Sequence, residues 1–184
     1  MRMLTAIPLS MFLTAAQAAG TFALESPDVG GQAPIAEKHV FKGFGCDGGN
    51  VSPALTWKNP PKETKSFALT VYDPDAPTGS GWWHWVVLNI PASATGIPQG
   101  AGDPAAGAMP AGALQTRTDF GKPGWGGPCP PAGHKPHRYV FTLHALKTEK
   151  IDLAEDAPAA MAGFMVNANT LATAGFTARY GRSK

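Results

Sequence analysis

Charge is scarce in this chain. Only 15% of its 184 residues are Asp, Glu, Lys or Arg, and the 15 basic side chains nearly cancel the 13 acidic ones. No cluster of Lys and Arg stands out, so the sequence offers no electrostatic footprint for nucleic acid. Internal repeats are lacking, as is any linker long enough to split the chain, which at this length leaves one domain. Past the N-terminus no apolar run is long enough to cross a bilayer. The Gly-x-Ser-x-Gly signature of an activated serine is missing, and Ser80 sits in the turn "TGSGW". Cysteine occurs only twice, whereas glycine (22) and proline (18) are plentiful. With 43% hydrophobic residues to build a core, that abundance predicts short strands joined by many turns rather than disorder.

The first residues read as an address. "MRMLTAIPLSMFLTAAQAAG" carries a positive Arg2, an apolar stretch from Met3 to Leu13 and a small-residue exit. Ala16-Gln17-Ala18 satisfies the A-x-A rule, so cleavage is expected after Ala18, with Ala19 as second choice. Residues 1–18 are then a signal peptide and residues 19–184 the mature domain, either kept in the periplasm or released. The competing reading is a buried N-terminal helix. An oxidising compartment gives Cys46 and Cys129 a meaning, because two cysteines in an exported domain are expected to pair. They lie in "GFGCDGGN" and "GGPCPPAG", so a bridge would staple two loops with little regular structure of their own. The alternative is two unrelated buried thiols.

Hydrophobic periodicity places the strands. "FALTVYD" (67–73) alternates, "WVVLNIP" (85–91) is a continuous apolar run suited to a strand buried on both sides, and "HRYVFTLHAL" (137–146) alternates again. In the last, Tyr139, Phe141, Leu143 and Ala145 share one face and His144 lies on the other. "ALTW" and "HVFKGF" are weaker strand candidates, and residues 96–112 predict a long surface loop. One helix is expected, capped by Asp156 with Pro158 in its first turn. Its core stripe would be Met161, Phe164, Met165, Ala168, Leu171 and Ala172. Gly175 would stop it, and "GFTARYG" would make a short final strand. The architecture predicted is mainly β, with a few peripheral helices.

The chemistry concentrates in "TVYDPDAPTGSGWWHWVVLNIP" (70–91) and "GWGGPCPPAGHKPHRYVF" (124–141). Asp73-x-Asp75 suggests an aspartate nucleophile, but such sites belong to strand–helix alternation, which this chain lacks. His134 and His137 stand three apart, yet on a Gly/Pro loop they need not share a face as metal ligands would, and no metal is expected. A small anion pocket fits better. His84 and His137 each lead a strand, and an imidazole donates hydrogen bonds and, when protonated, charge. Asp73 would hold one imidazole in place. Gly-rich loops can aim backbone N–H groups into a concavity, and Trp83, Trp85 and the prolines would form walls. Affinity for an anion would then fall as pH rises through the histidine pKa values. The plain alternative is that the histidines only satisfy turns.

"DPDAP" (73–77), "WWHWVVLNIP" (82–91) and "GGPCPPAGHKPHRYVF" (126–141), in this order, resemble the phosphatidylethanolamine-binding protein family, also known for Raf kinase inhibitor protein. "NVSPALTW" (50–57) and "GGPCPP" resemble its bacterial YbhB/YbcL branch, and the leader with the cysteine pair resembles the exported members. The resemblance implies an antiparallel β-sandwich with small peripheral helices, one near the C-terminus, and one anion pocket. Carried over to this chain, the pocket comprises Asp73, His84, His137 and Tyr139, with Pro77, Gly127 and Pro131 on its walls. Asp75 and Arg138 would pair structurally. The chain departs from the family at "GHKPHR", where Lys135-Pro136 intervenes, which puts the carried-over glycine contacts in doubt, and at "TARYGRSK", which differs from the eukaryotic C-terminal segment. The function implied is binding of phosphoryl- or carboxylate-bearing ligands without a cofactor, as a homodimer, with inhibition or modulation of a partner protein. The alternative is a hydrolase that uses the pocket histidines.

Overall fold

The computed structural model describes residues 20–184, so the leader and both cleavage positions lie outside the described residues. The strands are β1 (Ala23–Glu25), β2 (Lys42–Gly43), β3 (Cys46–Asp47), β4 (Leu55–Lys58), β5 (Ser66–Asp73), β6 (Trp82–Pro91), β7 (Gly96–Ile97), β8 (Leu114–Gln115), β9 (His137–Leu146) and β10 (Thr170–Tyr180). Among the described residues a single α-helix, α1 (Ala159–Asn169), precedes β10. Antiparallel pairing builds a five-stranded sheet in the order β10-β9-β5-β6-β8, a three-stranded sheet β1-β4-β7 and the small ribbon β2-β3.

The two larger sheets enclose the main core. Leu24, Leu55 and Trp57 of the small sheet pack with Phe67, Leu69, Phe141 and Leu143 of the large one. The Trp57 and Phe67 rings lie 5.4 Å apart. The outer face of the large sheet is covered by α1, whose Ala159, Ala162 and Val166 join Ala68, Val86, Leu88 and Leu146. β5 is therefore buried on both faces, not half-exposed as its alternation suggests.

The helix differs most from expectation. Its buried positions are Ala159, Ala162, Gly163 and Val166, an i, i+3, i+4, i+7 set of small residues. Met161, Phe164 and Leu171 point outward and are exposed. Small side chains let α1 lie close to the sheet: a Cβ on Gly163 would stand 3.3 Å from the Trp83 ring. Of the expected stripe, Met165 packs half-buried against the cluster between α1 and the sheet, while the face that seats the helix is the small-residue one. The N-cap is Pro158, not Asp156. Nor is Gly175 a stop. Thr170 leaves the helix and β10 pairs with β9 along its whole length, Gly175 opposite Thr142. Residues 96–112 are less loop-like than expected, for they contain β7, a 3-10 turn at Pro104–Ala106 and the buried Ala101.

Candidate functional site

Antiparallel register brings the site together. β5 ends where β6 and β9 begin, so Asp73 lies opposite Trp82, while Tyr72 faces Val140 on the other side. Strand alternation puts Asp73 on the same face as Val71, and His137 and Tyr139 on the same face as Phe141, all toward the main core. Alternation alone would turn His84 the other way. Val71 pairs with Trp85 but Tyr72 with Trp83, so His84 is an extra residue in β6. Such a bulge re-aims a side chain. Here it lets both His84 and Trp85 face inward while Trp83 packs on the outer face.

Hydrogen bonds fix each polar group. Nδ1 of His137 donates to Oδ2 of Asp73 at 2.8 Å, and Asp73 Oδ1 accepts the Asp75 N–H at 2.8 Å. Nδ1 of His84 donates to the Gly126 carbonyl at 2.6 Å, and the Gly126 N–H returns to the His84 carbonyl at 2.9 Å. Tyr139 stands edge-on to the His84 ring at 5.0 Å, and its buried hydroxyl has no partner among the described residues. Burial raises the Tyr139 pKa and holds His84 down at about 4. Asp73, His84, His137 and Tyr139 are all at most 4% exposed. Asp75 instead grips Arg138 at the surface, with carboxylate oxygens 2.7 and 2.9 Å from the guanidinium, which pulls its pKa to about 2.

These side chains surround an open cavity of about 150 Å³, which Pro77 and Pro131 also line. Gly127 does not line it. Its N–H donates to Oδ1 of Asn50 at 2.8 Å, and a Cβ there would collide with the His39 carbonyl. The glycine loop thus offers the Gly126 carbonyl to His84 in place of the amides expected for a ligand. The tryptophan wall is Trp82; Trp83 lies across the sheet and Trp85 is in the core. Sequence reasoning also missed Phe44 and Phe120 at the mouth, whose rings stack at 6.0 Å. Phe44 has φ 53° at the β2–β3 turn, and neither ring carries a local signal of its role. Asn50, which steadies residues 125–127 through two hydrogen bonds, could have been suspected from its place after Gly48-Gly49. The Lys135-Pro136 step carries His134 to 3.4 Å from Nε2 of His137. Among the described residues no group of three or more His, Cys, Asp or Glu side chains is placed to hold a metal ion.

His144 lies outside the cavity and is satisfied. The Thr170 hydroxyl donates to the Val166 carbonyl, so it accepts from Nδ1 of His144, and Nε2 accepts from Thr70. Burial holds this imidazole also near pKa 4. His84 and His144 are thus neutral in the fold yet protonate in the unfolded chain below its histidine pKa of about 6.5. The unfolded state then binds more protons, so stability falls as pH drops from about 6.5 to about 4, by up to about 3 kcal/mol per histidine. Asp28 and Asp75, held near 2, add their own loss only at lower pH. Denaturant melts across this range are expected to show that slope, and His144→Gln to reduce it.

Cys46 and Cys129 form a disulfide that ties the Phe44 turn to the Pro130-Pro131 wall. Arg182 adds to the tie, donating to the Gly45 carbonyl at 2.8 Å and the Pro130 carbonyl at 3.3 Å.

Residues 26–181 match the family model described as Phosphatidylethanolamine-binding protein. The chain is 53% identical over 169 residues to UPF0098 protein YbcL of Escherichia coli, covering 92% of each chain. The crystal structure of that protein, described as a new member of the mammalian PEBP family, superposes with a TM-score of 0.85 over 87% of this chain and 98% of its own. UPF0098 protein YbhB of the same organism is 56% identical over 146 residues, 79% of this chain and 91% of its own. A putative lipoprotein, LppC of Mycobacterium tuberculosis, is 41% identical over 133 residues, 72% of this chain and 59% of its own. Together with the disulfide, a lipoprotein relative suggests export.

Proposed function

This chain belongs to the phosphatidylethanolamine-binding protein family, and from that premise we propose that it is an exported, periplasmic binding protein. It captures a phosphoryl- or carboxylate-bearing ligand in the cavity of Asp73, His84, His137 and Tyr139, and in doing so modulates a partner protein. The observation that carries this reading is the convergence of those four buried polar side chains on one open cavity, with the Tyr139 hydroxyl still unpartnered. An orphaned buried hydroxyl is costly, and a ligand oxygen satisfies it.

Binding without turnover is supported by what the lining residues can do. Cys129 is bridged, and the Thr78 hydroxyl donates to the Gly81 carbonyl, so neither is an activated nucleophile. Calorimetric titration of the mature, oxidised protein with inorganic phosphate and phosphoethanolamine tests the reading. Saturable binding that drops at least about tenfold in both His84→Ala and His137→Ala is expected. Undiminished binding in both variants would move the site elsewhere, and turnover of a phosphoester that vanishes in His84→Ala would make the protein a hydrolase.

A further inference from the structure

The cavity's hydrogen-bonding polarity is unusual for an anion site. Among the described residues no lysine or arginine lines it. Three backbone amides of its flanking loops are spent: Gly126 N–H on the His84 carbonyl, Gly127 N–H on Asn50, Asp75 N–H on Asp73. Pro77, Pro130 and Pro131 have no N–H to offer. A carbonyl can only accept, so the His84 proton is fixed on Nδ1 toward Gly126, and Nε2 keeps a lone pair. The groups facing His84 are Asp73 from β5, Asp119 from the loop beyond β8, and Tyr139 with His137 from β9. Around His137 stand Asp73, Asp75, Arg138 and His134. The site therefore combines the buried Asp73–His137 pair, a lone-pair nitrogen on His84 and the free hydroxyl donor of Tyr139. A dianion would meet Asp73 and an acceptor nitrogen at once.

We infer that the cavity selects a phosphate monoester in its singly charged form, with the ligand's own P–OH donating to Nε2 of His84 while Tyr139 donates to a second ligand oxygen. The inference rests on the oxyanion reading given above and narrows it to oxyacids that still carry a proton. The proton rides on the ligand rather than on His84, whose burial keeps it neutral near neutrality. A phosphodiester has no such proton to give. The headgroup of an intact phospholipid is therefore a poor ligand here, and the free monoester is the better one. Apparent affinity falls with rising pH as the monoester loses its second proton, near pH 6 for such groups.

Four probes are to be titrated calorimetrically into the mature, oxidised protein: inorganic phosphate, phosphoethanolamine, sulfate and glycerophosphoethanolamine. Sulfate copies the shape of phosphate without a proton, and the last probe is the diester counterpart of the second. Phosphate and phosphoethanolamine are expected to bind roughly 10- to 100-fold more tightly than sulfate and the diester. Repeating the phosphate titration at about pH 8 in buffers of different ionisation enthalpy is expected to show uptake of about one proton per ligand bound. Sulfate or diester binding within about threefold of phosphate overturns the inference while leaving an oxyanion site in place. Proton uptake that accompanies sulfate as well would place the proton on the protein, and absence of uptake with phosphate would mean the dianion binds; either result overturns it. No binding by any probe overturns both this inference and the oxyanion reading.

Discussion

Replacing both Cys46 and Cys129 by serine is expected to lower the unfolding free energy by about 4 kcal/mol. The bridge joins residues 83 apart in sequence, and constraint of the unfolded chain by a loop of that length has about this value. The flanking segments make the loss harder to recover. Cys46 belongs to a two-residue strand, and Cys129 sits between Pro128 and Pro130 in a stretch without regular structure. The effect reaches the cavity because Phe44 and the Pro130-Pro131 wall stand on opposite sides of the bridge. Arg182 still spans Gly45 and Pro130, so the wall is expected to loosen rather than vanish. Urea melts of the double variant, paired with phosphate titration, measure both consequences. A midpoint unchanged from the oxidised protein would contradict this account of the staple.

Asp73→Ala is expected to cost about 3 kcal/mol in stability and at least about tenfold in phosphate affinity, whereas Asp75→Ala costs about 1 kcal/mol and leaves affinity nearly intact. The two carboxylates are only two residues apart, yet their surroundings differ. Asp73 and His137 are 3% and 4% exposed, and removing one leaves the other buried without its partner. Asp73 also accepts the Asp75 N–H, so the turn loses an anchor with it. Asp75 holds Arg138 where the guanidinium side chain is 47% exposed, and water replaces much of what is lost. Chemical denaturation and calorimetry on the two variants side by side separate these roles. Equal losses would mean that burial does not distinguish them.

Much of this molecule was legible in its sequence. The strands containing "FALTVYD", "WVVLNIP" and "HRYVFTLHAL" are visible as local patterns, and they became the three central strands of the large sheet. The residues at their ends, Asp73, His84, His137 and Tyr139, carry the family resemblance, and one cavity gathers them. What the sequence hid is non-local. The bulge at His84 exists only in the register between β5 and β6, so Trp83 and Trp85 looked like walls when Trp82 is the wall. Gly127 looked like a contact, but its amide is claimed by Asn50, distant in sequence. The α1 stripe was misread because large apolar residues outweigh small ones in a pattern count, while close packing over Trp83 favours Ala and Gly. The expected role of a charged His84 also gives way, since burial that sequence cannot measure keeps the ring neutral.

An oxyanion is expected to sit among His84, His137 and Tyr139. The most direct measurement is the ring-nitrogen NMR of the chain's five histidines during titration with inorganic phosphate. The Nε2 signals of His84 and His137 are expected to shift saturably, while those of His39 and His144, buried away from the cavity, stay in place. Saturating phosphate that leaves His84 and His137 unmoved would contradict the account.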